Sequence, residues 1–122
     1  MMKFILVFLG AGFGGSFRYI VSSWIMNVTN SSFPLGTLVV NLVGSFFLGL
    51  LIFGFDDKEL LSSNMKFLLA IGFCGGFTTF STFSYETLTL LRDSQFLYAG
   101  LNVIANVIIC LVGIYVANIL FR

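Results

Sequence analysis

Read as alternating apolar and polar stretches, the chain resolves into four long apolar runs separated by three short polar ones. The runs are Phe4 to Val28, Phe33 to Phe55, Met65 to Arg92 and Phe96 to Phe121. Each reaches the roughly 20 residues that a helix needs to cross a bilayer core. Thr29–Ser32 joins the first pair, the charged stretch from Asp56 to Asn64 the second, and Arg92–Gln95 the third. Pro34 is suited to the first turn of the second helix. The pattern predicts an all-α membrane protein, one four-helix domain over residues 1–122, with both termini on one side.

Composition agrees. The 122 residues are 58% hydrophobic, with six Lys or Arg and five Asp or Glu, against about a quarter charged in a soluble domain. No extramembrane domain and no cleavable leader are expected. A net charge of +1 without a basic cluster gives no reason to expect nucleic acid as a partner. Histidine is absent, which removes the usual proton switch and most metal sites. Enzyme chemistry has little support, since there is no nucleophile with a base and no phosphate loop. Cys74 and Cys110 both fall within apolar runs and read as small buried hydrophobes, not as a disulfide.

The third run departs from an ordinary spanning helix between Gly72 and Ser84. It holds Gly72, Gly75 and Gly76, hydroxyls at Thr78, Thr79, Ser81, Thr82 and Ser84, and rings at Phe73, Phe77, Phe80 and Phe83. The Gly75-Gly76 pair is poor helix, so a break is expected near Gly75–Thr79. A break frees backbone groups that need partners or a wet cavity, and discontinuous helices are where membrane proteins place ions. Carbonyls freed there suit a hard cation such as sodium.

The other helices bring polar groups to the same depth. The first is rich in small residues from Gly10 to Ser16, a tight helix interface, and then carries Arg18, either a vestibule charge or an anchor whose long stem reaches the interface. The second contains Asn41. The fourth sets Asn102, Asn106 and Cys110 on one face at i, i+4 spacing, a wet stripe more than a single glue contact, with Asn102 and Asn106 as candidate pore-lining donors. Counted inward from the side opposite the termini, Arg18, Asn41, Phe80, Phe83 and Asn106 all lie roughly 12 to 18 Å deep at about 1.5 Å per residue. Cationic Arg18, the amides, the hydroxyls of Ser81 and Thr82 and the positive ring edges of Phe80 and Phe83 are all donors to negative charge. The set suits a small hydrated anion. Phe77, Phe80 and Phe83 at i, i+3 equally fit an ordinary packing face in a chain with 16 phenylalanines, and Asn41 equally fits interhelical glue. Glu86, the only acid inside a span, either pairs with Arg18 or faces a wet vestibule.

Gly72-Phe-Cys-Gly-Gly-Phe-Thr-Thr-Phe-Ser-Thr-Phe-Ser-Tyr-Glu86 resembles the signature of the CrcB/Fluc fluoride channel family. Gly36-Thr-Leu-Val-Val-Asn-Leu-Val-Gly-Ser45 and Gly12-Phe-Gly-Gly-Ser-Phe-Arg-Tyr19 resemble its second- and first-helix motifs. The resemblance implies a passive fluoride channel of a prokaryotic plasma membrane that lowers fluoride in the cell, built as an antiparallel, dual-topology homodimer. By motif it makes Phe80, Phe83 and Asn41 pore residues, with Ser81 and Thr82 as the hydroxyl pair between the rings and Arg18 near the vestibule. It makes the backbone carbonyls of Gly75 and Thr78 ligands of a structural sodium ion that is not transported. The fourth helix departs from the family pattern of Ser or Thr, and sometimes Tyr, along a polar track, because this chain has Asn102, Asn106 and Cys110.

Two rival functions fit less well. A small proton-coupled four-helix multidrug exporter needs an embedded carboxylate, for which Glu86 is the only candidate. A scaffold subunit would carry no flux. Charge and resemblance disagree on topology. Lys3, Lys58, Lys66 and Arg122 lie on the side of the termini against Arg92 on the other, a bias that normally puts the richer side in the cytoplasm.

Overall fold

The computed structural model describes all 122 residues. It is all-helical, and four helices are long and apolar enough to cross a membrane: α1 (Met2–Thr29), α2 (Leu35–Lys58), α3 (Ser63–Arg92) and α4 (Phe96–Phe121). Their ends fall within three residues of those the hydropathy pattern predicts, and the α4 bounds coincide. Pro34 sits one residue before α2 as its N-cap instead of inside the first turn. The three connections are short, so consecutive helices run antiparallel and both termini lie at one end. Each connection contains one left-handed residue, Asn30, Glu59 or Ser94, which stops the helix and reverses the chain. In the second connection the Ser62 hydroxyl caps α3 by accepting from Met65 N–H at 3.2 Å. Lys66 pairs with Asp56 across it at 3.0 Å.

α1 packs along the first half of α3, and α4 packs along α2 and the second half of α3. The α1–α3 seam is backbone against backbone. A Cβ on Gly76 would stand 2.9 Å from the Ala11 Cα, and one on Gly14 would stand 2.9 Å from the Phe77 amide nitrogen. Glycine is required because no side chain is there to yield. This is the tight small-residue interface expected of the first helix. The same contact changes the reading of the Gly75-Gly76 pair. Both glycines are helical, and what Gly76 supplies is room for α1 rather than a bend.

The non-helical residues are the next hydroxyl pair. Thr78 (φ −89°, ψ 158°) and Thr79 (φ −150°, ψ 123°) are extended. Helix resumes at Phe80, capped by the Thr79 hydroxyl, which accepts from Thr82 N–H at 3.1 Å.

The buried interior is small and unusual in kind. Val40 and Ala117 are buried, but so are Thr37, Asn41, Asn102 and Asn106, with Asn102 fully enclosed. Most large apolar side chains, such as Phe8, Trp24, Leu97 and Ile104, point outward. That inversion is what a protein dissolved in hydrocarbon tolerates, because exposed apolar groups cost nothing there.

Candidate functional site

The site is built around the two extended residues. Extension at Thr78–Thr79 diverts backbone amides from their helical acceptors. The amide one turn on from the Gly75 carbonyl is Thr79 N–H, and it donates to the Asn41 Oδ1 at 2.8 Å. The amide one turn on from the Thr78 carbonyl is Thr82 N–H, and it donates to the Thr79 hydroxyl. Gly75 and Thr78 therefore present carbonyls whose usual donors are engaged elsewhere. The Gly76 carbonyl is served differently, by the Arg18 Nε at 3.1 Å.

Beside this segment lies a cavity of about 500 Å³ lined by residues of α2, α3 and α4. Asn41, Gly75, Thr78, Phe80, Phe83 and Asn106 all contribute to it, and Cys74 and Cys110 complete the wall. The Phe80 and Phe83 rings stand 5.3 Å apart at 59°. Phe83 is buried, whereas Phe80 is 78% exposed and offers its ring to whatever lies outside this chain. Phe77 belongs elsewhere. It is buried and stacks on Phe73 at 5.7 Å, so of the three rings at i, i+3 spacing it is the packing residue.

The common depth counted along the sequence thus corresponds to one cavity for Asn41, Phe80, Phe83 and Asn106, but not for Arg18. Arg18 is half-buried on α1 and lies outside the cavity lining. It holds a backbone carbonyl. Ser81, Thr82 and Asn102 also lie outside the lining. Ser81 is exposed, with its hydroxyl 3.3 Å from that of Thr79. Glu86 does not pair with Arg18, since the one ion pair is Lys66–Asp56. Its carboxyl faces the buried Thr37, and Oε1 is enclosed without a hydrogen-bond partner.

Sequence reasoning missed the way the asparagines are used. The Asn41 Nδ2 donates to the Thr79 carbonyl at 3.1 Å and to the Asn106 Oδ1 at 3.0 Å. Asn106 Nδ2 in turn donates to the Oδ1 and the carbonyl of Asn102, both at 2.9 Å. Asn102 Nδ2 donates to the Thr87 hydroxyl at 2.9 Å, and that hydroxyl donates to the Phe83 carbonyl at 2.8 Å. The i, i+4 spacing of Asn102 and Asn106 marked a shared face. It carried no sign that each would be the other's partner.

A family model described as CrcB-like protein, Camphor Resistance (CrcB), matches residues 5–118. The chain belongs to the CrcB family. Curated relatives of this CrcB-family chain include a protein of Shewanella sp. (strain W3-18-1) named fluoride-specific ion channel FluC. It is 45% identical over 118 residues, covering 97% of this chain and 94% of the relative. Proteins of the same name from Shewanella baltica (strain OS185) and Shewanella sp. (strain ANA-3) are 44% and 42% identical over the same shares. The match reaches all four helices and so covers the residues at Thr78–Thr79 and those that line the cavity.

Proposed function

We propose that this protein is a fluoride channel, as its relatives are named, and that it passively exports fluoride across the plasma membrane of a prokaryote. The observation that carries the reading is the cavity at the extended residues. Phe80 and Phe83 line it together with amide-bearing Asn41 and Asn106, and no acid lies in its wall. Ring edges carry the positive end of the aromatic quadrupole, which a small anion can take in exchange for its water. Purified protein in liposomes loaded with fluoride is expected to release it without any proton gradient, as read by an ion-selective electrode. Release only when a proton gradient is imposed would favour the exporter that Glu86 could serve, and no release would leave a scaffold.

The functional unit is an antiparallel homodimer with a structural sodium ion. Its support is chemical. Gly75 and Thr78, the two carbonyls the family motif assigns to sodium, both lose their helical amide donors, which turn to Asn41 and to the Thr79 hydroxyl. Gly75 is exposed on this chain. One chain offers two carbonyls and a two-fold partner would bring four, closer to the oxygen number a hard cation takes. The ion's part is to neutralise carbonyls turned out of the helical ladder, which cost free energy if buried without partners. The partner would also cover the exposed Phe80 ring. Dual topology is tested by replacing Cys74 and Cys110, placing one cysteine at Ser63 or at Asn30, and labelling intact cells with an impermeant reagent. About half the protein should react at either position if both orientations insert, and labelling at Asn30 alone would overturn the antiparallel arrangement.

A further inference from the structure

The hydrogen bonds that run through the three asparagines form one chain with a single direction. Thr79 N–H donates to Asn41, Asn41 to Asn106, Asn106 to Asn102, Asn102 to Thr87, and Thr87 to the Phe83 carbonyl. It starts on the α3 backbone at Thr79, passes through α2 and α4, and returns to the α3 backbone at Phe83. The turn it encloses is the one that carries Phe80 and Phe83. Every amide in it has one orientation, because a reversed asparagine would set oxygen against oxygen on one side and N–H against N–H on the other. Both hydrogens of the Asn41 Nδ2 and both of the Asn106 Nδ2 are committed within the protein. Asn41, Asn102 and Asn106 are all buried, where such bonds polarise one another and an unmade one is costly.

We propose that Asn102 and Asn106 are positioning residues: through Asn41 they brace the Thr79–Phe83 turn and so fix the geometry of the Phe80–Phe83 ring pair, without themselves binding the anion. The reading rests on the fluoride-channel function. It changes the role of the α4 asparagines from lining donors to a brace, and it makes Asn41 the joint between α4 and the extended residues of α3. The departure of α4 from a Ser and Thr track then has a physical reason. An asparagine accepts at one atom and donates at another, so it can pass a bond from one neighbour to the next across a helix interface with fixed polarity.

Two measurements test it. The first is the Thr79 amide proton in 15N-labelled protein. Neither Asn106 nor Thr87 makes a hydrogen bond to Thr79, yet Asn106→Leu and Thr87→Val should both move that proton upfield and speed its exchange, the second less than the first. Thr87→Val is isosteric and lies at the far end of the chain of bonds, so it decides the question if Asn106→Leu does not fold. An unmoved Thr79 amide in either folded variant would overturn the brace. The second is a double-substitution cycle on fluoride efflux. Asn41→Ser and Asn106→Leu are each expected to slow efflux roughly tenfold, and the double variant no more than either, because residues in one network do not act independently. A multiplied loss of about a hundredfold would mean two separate ligands. If the unsubstituted protein carries no fluoride, the channel reading fails, and the Thr79 amide still judges the brace.

Discussion

The two seams of α3 are made by opposite means. Along its first half α3 meets α1 through glycine and alanine, with backbones in contact, and polar side chains reach across only at its ends, Lys3 over the Phe67 ring and Arg18 to the Gly76 carbonyl. Along its second half it meets α2 and α4 through amides and hydroxyls, with three buried asparagines in one run of bonds. Lipid offers no hydrophobic drive to hold helices together, so close van der Waals approach serves one seam and hydrogen bonding the other. The dry seam leaves nothing for an ion to exchange with. The polar seam borders the cavity, and it is adjacent to carbonyls that have lost their helical donors. The same helix is anchored on one side and made available on the other, with the extended Thr78–Thr79 step at the changeover.

Substitutions that attack each seam should therefore fail differently. The largest effect is expected at the dry one. Gly76→Val forces a branched side chain into the Ala11 backbone, overpacking that cannot be relieved by a rotamer, and should cost at least about 3 kcal/mol. Size-exclusion chromatography in detergent should show loss of folded protein, and normal yield with full flux would show that the seam is looser than its distances imply. On the polar side, Asn41→Asp puts a carboxylate against the Asn106 oxygen and a negative charge beside an anion path. A charge at this depth costs about 3 kcal/mol, so fluoride efflux should fall by about two orders of magnitude while the dimer survives. Removing sodium acts on the changeover. Protein dialysed into a large organic cation should lose efflux and regain it when sodium is returned, and full activity in its absence would remove the ion from the account. Phe80→Ile keeps apolar bulk but deletes the ring edge, and a loss of about tenfold is expected. Efflux at the original rate would leave Phe80 with no part in the path. Lys66→Ala lies away from both seams. Its partly exposed ion pair with Asp56 is worth less than about 1 kcal/mol, so efflux and yield should be unchanged.

The fold was readable because hydropathy counts residues, and residue number is length along a helix. Four spans, their ends and the close α1 seam follow from that. Depth is also a count, which is why Asn41, Phe80, Phe83 and Asn106 could be expected at one level and do line one cavity. Which way a residue points around its helix is not such a count, because it depends on how neighbours are rotated. Arg18 was counted to the same depth but turns to the Gly76 carbonyl and not to this cavity. Gly75 and Gly76 looked like the weak point of α3, but propensity is a local quantity and both are helical, with Gly76 packed on α1, while Thr78 and Thr79 are extended. The asparagine brace depends on three helices meeting at chosen rotations, and no pattern within one helix encodes it. Glu86 was visible as the only acid in a span, and its placement against Thr37 instead of Arg18 was not.

The central claim is that fluoride itself crosses this protein passively and is preferred over other anions. Currents recorded across a planar bilayer containing the purified protein, with a fluoride gradient and equal chloride and pH on both sides, test it most directly. A fluoride channel gives a current that reverses near the fluoride equilibrium potential and keeps that reversal when a chloride gradient is added. A reversal that follows chloride or pH, or a bilayer that carries no current above the protein-free level, would contradict it.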